Sequence, residues 1–396
     1  MSLIIATYLP PWGTEAARAP GYDEDALTMA VEAGRLAMDP GTPVTKIIFV
    51  SRELPLLEGG NSAPLLAALR LGRNLEVVEQ IGGAPAALDA ILSAQLGTLV
   101  IGVDAESPAG AAAALITGTN PLALAARVQR SFPQRTRLAD GQVFKDDDPR
   151  MLRELGVRAS LDAAKLPSKP VFIGGLRGKD ASAFSAGGLP PLPTFGASSV
   201  FFGIAALIDA GLGGLIAGSE QAAFVAANLK PGVGLVRRKE PMAQPPAKRR
   251  KSPGADIKIS LAAYDRAFES KVGWHAGRCM NCGTLSLPPR FHCLGCGTDG
   301  RWELTPLPYT GSIYTSTTVH VPVPSLESPY TLAVVQCDGV DVRALMHVTD
   351  VAPGTTTLGE RGTLVLRRVA MRSGVPDYGH AFSPDARPAA RRAGVQ

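Results

Sequence analysis

In the first 236 residues, short β-branched apolar runs alternate with stretches rich in Ala and Leu. The apolar runs predict strands at Ser2–Tyr8, Lys46–Ser51, Leu75–Gln80, Thr98–Val103 and Ala111–Ile116. The intervening stretches predict helices at Asp23–Met38, Ala63–Leu71 and Pro85–Ala94, with the acidic residues 23–25 in the first helical turn. Strands separated by helical stretches of about 10–15 residues are typical of a mainly parallel sheet with helices on its faces.

The same order of elements recurs more loosely after residue 120 and suggests an internal duplication. Helices are expected at Asp148–Ala164 and Ser198–Ala210, and strands at Lys169–Gly174 and Gly214–Ala217. Ala222–Leu229 fits either a strand or a helix. We therefore expect an α/β layered domain with mainly parallel or mixed sheets over residues 1–236.

The segment 237–257 is rich in proline and charge and predicts a linker. Residues 237–251, which include the run KRRK at 248–251, carry a net charge of +6, so the rest of the chain sums to −1 and the formal net charge of +5 reflects one short segment. A nucleic-acid-binding domain would spread positive charge over a folded face, so the charge pattern argues against that function. The KRRK run fits a solvated tether, or a nuclear-import or phosphate-binding patch.

The C-terminal part changes to a period of two. A helix at 261–272, with Leu261, Tyr264, Phe268 and Val272 on one face, would pack on its neighbouring domain or dock a partner subunit. Strands are expected at Ile313–Pro322, Thr331–Cys337, Val340–Val348 and Gly362–Val369, with a type I′ turn at Asp338-Gly339. These divisions predict a helix and ribbon at 258–304, a small antiparallel barrel at 305–382 and a disordered tail at 383–396.

Cysteine and histidine are confined to one end of the chain. All five cysteines and all five histidines lie beyond residue 270. A mechanism that needs a thiolate or an imidazole is therefore excluded from residues 1–270. No apolar run is long enough to span a bilayer and no basic, then hydrophobic, leader is present, so we expect a soluble cytoplasmic protein without membrane contact.

Four of the cysteines have metal-ligand spacing. Cys279-x-x-Cys282 and Cys293-x-x-Cys296 are each followed by a glycine, and the four thiolates suit a tetrahedral structural Zn²⁺. Two disulfides or a rubredoxin-like iron site are the alternatives. Cys337 is expected to be a core thiol, and His275 and His292 to be surface or outer residues of the metal site.

Residues 258–382 resemble the zinc-ribbon/OB-fold family associated with acyl-CoA enzymes. The resemblance rests on Gly277–Thr284 (GRCMNCGT), Pro288–Arg290 (PPR), Cys293–Gly297 (CLGCG), Thr310–Thr315 (TGSIYT) and Pro329–Val335 (PYTLAVV). Members of that family sit against a thiolase-fold subunit, help to enclose CoA and are usually not enzymes. The resemblance implies acyl-CoA as the ligand, with Arg278 or Arg290 offered to the CoA phosphates.

The first 235 residues resemble the thiolase superfamily on its HMG-CoA-synthase-like branch, through Asp23–Ala33 (DEDALTMAVEA), Gln80–Leu88 (QIGGAPAAL) and Thr98–Asp104 (TLVIGVD). When Ala87-Leu88 is aligned with the Ala-Leu pair of that branch, Ile81, or Gln80, falls at the position of its nucleophilic cysteine. Pro193–Gly196 replaces the family's Gly-Asn-x-Gly segment, and its catalytic histidine has no counterpart. The resemblance implies a catalytically inactive scaffold that forms a homodimer.

These features favour an accessory subunit of a thiolase or acyltransferase complex, in which a separate thiolase-fold subunit acts on the acyl-CoA thioester. One alternative is an enzyme with non-thiol acid/base chemistry, such as aldol-type cleavage of a β-hydroxyacyl-CoA. Its base would be Asp104, Glu220, His320 or His347. The other alternative is a stand-alone CoA-binding protein.

Overall fold

The computed structural model describes residues 2–57, 60–138, 141–145, 148–220, 222–253, 257–321 and 326–385. The chain divides into two compact units. The first unit comprises Met1–Pro20 and Asp25–Ala243, and the second comprises Gly21–Glu24 and Gln244–Gln396.

The first unit contains strands and helices in alternation. Its strands are β1 Leu3–Tyr8, β2 Trp12–Thr14, β3 Ala17–Ala19, β4 Lys46–Ser51, β5 Glu76–Ile81, β6 Thr98–Asp104, β7 Gly110–Ile116, β8 Leu122–Gln129, β9 Arg135–Arg137, β10 Val143–Lys145, β11 Ile173–Gly174, β12 Gly214–Glu220, β13 Ala223–Leu229 and β14 Gly234–Lys239. Its helices are α1 Ala26–Ala37, α2 Ser62–Leu69, α3 Ala84–Ser93, α4 Pro149–Met151, α5 Ala159–Ala164, α6 Gly178–Phe184 and α7 Ser199–Asp209, with a π-helical stretch Leu152–Arg158 between α4 and α5.

Two sheets organise this unit. The larger sheet has the order β14-β1-β7-β6-β4-β5, in which only β7 runs antiparallel to its neighbours. The smaller sheet has the order β11-β12-β13-β8, with one parallel pair, β11–β12, and two antiparallel pairs. The expected parallel character therefore holds for the larger sheet only, and Ala222–Leu229 resolves as a strand.

Helices α3 and α7 lie between the two sheets. Leu88 of α3 and Phe201 of α7 share one buried cluster with Val100 of the larger sheet and Ile216 of the smaller one. The next residue along β6, Ile101, points to the opposite face, where it approaches Gly34 of α1. Because β1, β6 and β7 are covered on both faces, their sequences are continuous apolar runs rather than alternating ones.

Two sequence-based boundaries in this unit differ from the structure. Helix α1 starts at Ala26, because the Asp25 side chain caps it and forms a reciprocal capping box with Thr28, so the acidic residues precede the helix. Strand β14 continues to Lys239, three residues past the expected domain end, because it pairs with β1 in parallel register. Arg237 and Lys239 are also held by ion pairs, with Asp39 at 2.9 Å and Glu32 at 2.6 Å.

The second unit is a ribbon and a barrel. Its elements are β15 Arg250–Lys251, α8 Leu261–Lys271, β16 His275–Cys279, β17 Leu285–Ser286, β18 Trp302–Pro306, β19 Thr310–Val319, β20 Glu327–Ser328, β21 Tyr330–Cys337, β22 Arg343–His347, β23 Arg361–Arg372 and β24 Val375–Pro384. The ribbon sheet has the order β17-β16-β18. The barrel sheet has the order β22-β21-β19-β23-β24, and a bridge between Val348 and Phe382 joins its two ends.

Three expectations for the second unit are corrected. The β21–β22 connection spans residues 338–342 rather than a two-residue type I′ turn, because Gly339 has a positive φ of 70° and Asp338 does not. Arg250 and Lys251, expected in a solvated linker, pair with β20. Strand β24 reaches Pro384, within the expected tail, of which residues 386–396 lie outside the described residues.

Candidate functional site

The ribbon brings the four predicted metal ligands together. The sulfur atoms of Cys279, Cys282, Cys293 and Cys296 all lie within 4.8 Å of one another. The Cys279–Cys296 distance is 3.7 Å and the Cys282–Cys293 distance is 3.6 Å, with every sulfur a free thiol. A tetrahedral zinc with Zn–S bonds of about 2.3 Å requires sulfur–sulfur distances of about 3.8 Å. The donor set therefore fits a divalent zinc ion.

The local fold explains this convergence. Gly283 and Gly297, which follow the second cysteine of each pair, have φ values of 76° and 75°, and their amides donate to the carbonyls of Cys279 and Cys293. Each chain turn thus folds back over its own pair of sulfurs, as the spacing predicts. A shell of four thiolates leaves no open position for a water, which is typical of a structural metal.

Hydrogen bonds favour the thiolate form of two ligands. The side chain of Asn281, followed by that of Thr298, lowers the pKa of Cys296 to about 5. A hydrogen bond with Thr284 lowers the pKa of Cys282. The two nearby histidines are bound elsewhere: His292 Nδ1 lies 2.7 Å from Asp299, and His275 Nδ1 lies 3.6 Å from Glu269.

In the first unit, neither residue 81 nor the start of α3 offers a nucleophile. Ile81 ends β5 and is 62% exposed, and α3 begins three residues later, at Ala84. Arg52 and Glu220 form an ion pair of 2.5 Å between Nε and Oε1 at the start of α3. A Cβ atom on Gly83, the residue before the helix, would overlap both side chains. The ion pair therefore fills the space in front of this helix N-terminus.

Asp104, a candidate base, has a structural role. Its buried carboxylate accepts hydrogen bonds from the backbone amides of Gly196, Ala197 and Ser198 and from the Ser198 hydroxyl. Burial raises the pKa of Asp104, against these hydrogen bonds, which lower it. The carboxylate thus holds residues 196–198, the loop that precedes α7, in place. Glu220, the other candidate, forms an ion pair with Arg52, so both candidate carboxylates have bonded partners within the first unit.

The second unit contains a cavity of about 600 Å³ that sequence reasoning did not find. Among its lining residues are the cations Lys271, Arg343 and Arg372, which come from α8, β22 and β23. Arg278 and Arg290 do not line it: Arg278 is exposed on β16, and Arg290 borders a small cleft beside the cysteines. The three lining cations come from separate elements, so no local motif marks them in the sequence.

The barrel histidines differ in environment. His320 is exposed at the end of β19, whereas the ring of His347 packs 4.9 Å from the ring of Tyr330. Burial, followed by the positive charge of Arg249, lowers the pKa of His347 to about 4. Arg249 itself stacks 3.3 Å from the centroid of Tyr22, in the segment expected to be a tether.

In the part of the chain that the structure describes, no helix has the length and apolar character needed to cross a bilayer.

Sequence comparisons identify the C-terminal part. A family model described as the ChsH2 C-terminal OB-fold domain matches residues 304–367. A DUF35 domain-containing scaffold protein of Methanocaldococcus jannaschii is 32% identical over 111 residues, which cover 27% of this chain and 78% of the relative. The resemblance of this part to a zinc-ribbon/OB-fold family is confirmed.

Comparison with solved structures finds several remote likenesses. A chain described as Ltp2-ChsH2(DUF35) aldolase is 24% identical and covers 34% of this chain and 98% of its own, with a TM-score of 0.26. HMG-CoA synthase complexed with CoA is 11% identical, with coverages of 59% and 84% and a TM-score of 0.45. The 3-oxoacyl-[acyl-carrier-protein] synthase III of Aquifex aeolicus VF5 is 14% identical, with coverages of 58% and 98% and a TM-score of 0.43. These likenesses are remote.

Proposed function

Because the chain belongs to the DUF35 family through its second unit, we propose that it is an accessory subunit of an enzyme complex that acts on acyl-CoA thioesters. In this proposal, the first unit is a scaffold without catalytic residues. The ribbon and barrel contact a separate thiolase-fold subunit, and the cysteine of that subunit carries out the acyl transfer. The curated relative in Methanocaldococcus jannaschii is itself described as a scaffold protein.

The observation that carries the proposal is the state of the first unit. Residues 1–270 contain no cysteine and no histidine. The two carboxylates that the sequence offers as candidate bases in this unit are already bound, Asp104 by the loop before α7 and Glu220 by Arg52. Acyl transfer needs a nucleophile activated by a base, and these groups supply neither.

The metal in this proposal is structural. Zn²⁺ held by Cys279, Cys282, Cys293 and Cys296 would stabilise the ribbon, on the order of 10 kcal/mol, and would provide no reactive water. With the ribbon fixed, Arg278 and Arg290 present exposed guanidinium groups. Such groups bind phosphate through paired hydrogen bonds, and we propose the phosphates of CoA as their ligand.

We also propose a homodimer formed through the first unit. Strand β5 is the last strand of the larger sheet, with one neighbour, β4, among the described residues. Val78 and Ile81 on this strand are 37% and 62% exposed. An unprotected edge strand with apolar side chains favours pairing with a second strand, here that of another copy.

The test compares the isolated chain with a reconstituted complex. The zinc-loaded full chain should neither turn over acetoacetyl-CoA nor retain an acyl group detectable by intact-mass spectrometry. The complex purified from the source organism should contain a thiolase-fold protein, and alkylation of that protein's cysteine should abolish the activity of the complex. An acyl group trapped on residues 1–235, or turnover by the chain alone, would contradict the proposal.

A further inference from the structure

The cavity of the second unit has the size of a small-molecule site. Its volume of about 600 Å³ lies within the range of about 300–1,000 Å³ that is typical of ligand pockets. Helix α8 and strands β22, β23 and β24 contribute to its walls. Much of the wall is apolar, through Trp274, Leu287, Leu345, Met346, Val369 and Met371.

One side of this cavity carries excess positive charge. Lys271 Nζ lies 2.5 Å from Oδ1 of Asp377, and Arg372 Nε lies 2.9 Å from Oδ2 of the same carboxylate. Two cations therefore share one buried anion, and both remain about one third exposed. Arg343, a third lining cation, stacks 3.8 Å from the centroid of Tyr314. Asp377 neutralises only one of these two positive charges, and an anion placed beside Lys271 and Arg372 would neutralise the other.

A second cavity of about 330 Å³ adjoins the first. The two share the lining residues Leu326, His347, Val369, Ala370 and Met371. The Nδ1 atom of His347, on this shared wall, is buried and has no hydrogen-bond partner within the described ranges. A buried polar atom without a partner is unfavourable, so a ligand atom that reached His347 would gain a hydrogen bond at no cost to an existing one.

We propose that the two adjoining cavities form one binding site for an amphipathic organic anion. The apolar chain lies along Leu345, Met346 and Met371, the anionic head group contacts Lys271 and Arg372, and a polar group within the chain meets Nδ1 of His347. This site is separate from Arg278 and Arg290, and its existence does not depend on a partner subunit.

The experiment titrates the zinc-loaded full chain with octanoate, octyl phosphate and octan-1-ol. Binding is followed by calorimetry and by tryptophan fluorescence, to which Trp274 in the cavity wall contributes. At least one of the two anions should saturate the protein with a Kd below about 1 mM. Octan-1-ol should bind about tenfold more weakly or worse, because it lacks the charged hydrogen bond. Comparison of the two anions distinguishes a carboxylate head group from a phosphate monoester.

Three variants locate the site. Lys271→Met should weaken binding of the anion about 10- to 100-fold without changing the affinity for octan-1-ol. Arg266→Met removes an exposed cation from the same helix and should bind as wild type. Met371→Trp should fill the space and abolish binding of every probe. Circular dichroism and thermal unfolding establish that each variant is folded.

His347 is tested with an octanoate that carries a mid-chain ketone. The wild type should prefer this oxo-acid over octanoate, and His347→Phe should lose the preference while still binding octanoate. The proposal is overturned if neither anion saturates the protein at millimolar concentration, or if octanoate and octan-1-ol bind equally. Binding that survives both Lys271→Met and Met371→Trp would overturn it as well.

Discussion

The carboxylate of Asp104 accepts a hydrogen bond of 2.6 Å from the Ser198 hydroxyl and another of 3.1 Å from the Ser198 amide, across 94 residues of sequence. Together with the amides of Gly196 and Ala197, this contact fixes the entry of α7 between the two sheets. A carboxylate that resembles a catalytic base by its position at the end of β6 therefore anchors the loop that precedes α7.

Asp104→Asn should destabilise the first unit by about 2–4 kcal/mol, because the amide nitrogen cannot accept from the backbone donors that the carboxylate now satisfies. Urea unfolding followed by circular dichroism measures the change. Glu106→Gln, at an exposed position two residues away, is the matched control and should shift the midpoint little. Equal midpoints for the two variants would contradict the role of Asp104 in anchoring the loop before α7.

Gly83→Ala should destabilise the first unit by about 1 kcal/mol, because the added methyl group would overlap the ends of the Arg52 and Glu220 side chains and make their ion pair move aside. Thermal unfolding of the full chain provides the measurement. Gly72→Ala is the control, since a Cβ at Gly72 meets no atom within 4 Å and its φ is not positive. If Gly83→Ala and Gly72→Ala unfold at the same temperature, the ion pair does not fill this space.

Removal of the metal should unfold the ribbon. Chelation, or Cys282→Ser, should reduce the metal content from one zinc per chain towards zero, and should destabilise the ribbon by an amount on the order of 10 kcal/mol. Elemental analysis and thermal unfolding report the two effects. Cys337→Ala removes a buried thiol of the barrel core and should keep its zinc. Full zinc occupancy in Cys282→Ser would show that this sulfur is not a ligand.

The second unit should lose stability as the pH falls from about 6.5 to about 4. His347 has a folded pKa of about 4, below the value of about 6.5 for an unfolded histidine, so the unfolded chain binds a proton first. The full loss is on the order of 3 kcal/mol and is absent above pH 6.5.

The measurement for His347 is the difference between the stability curves of wild type and His347→Phe, which cancels the pH dependence of the metal site. His320→Gln removes an exposed histidine of the same barrel and serves as the control. Parallel curves for wild type and His347→Phe across this range would refute the assignment.

Local patterns predicted much of the fold. The apolar runs that became β1, β6 and β7 are buried on both faces, and the cysteine spacing fixes a site whose sulfurs are close in sequence. The boundary at residue 236 failed because β14 is extended by pairing with β1, more than 200 residues earlier in the chain.

The functional features that sequence reasoning missed all depend on distant residues. Arg52 and Glu220 are 168 positions apart, and Lys271 and Asp377 are 106 apart. Neither pair lies in a periodic pattern or a known motif, so each contact can be recognised only from the three-dimensional structure. The carboxylates at 104 and 220 could be recognised as candidate bases from the sequence. The groups that bind them, the loop amides at 196–198 and Arg52, could not.

All five cysteines belong to the second unit, and this determines where thiol oxidation can act. Cys282 and Cys296 of the ribbon are exposed, whereas Cys337 is 1% exposed and burial, followed by the charge of Asp338, raises its pKa to about 11. Peroxide or an electrophile would therefore react at the ribbon first and release its metal, while the first unit offers no thiol to modify. Thiol oxidation would therefore disrupt the ribbon of the second unit and leave the first unit unmodified.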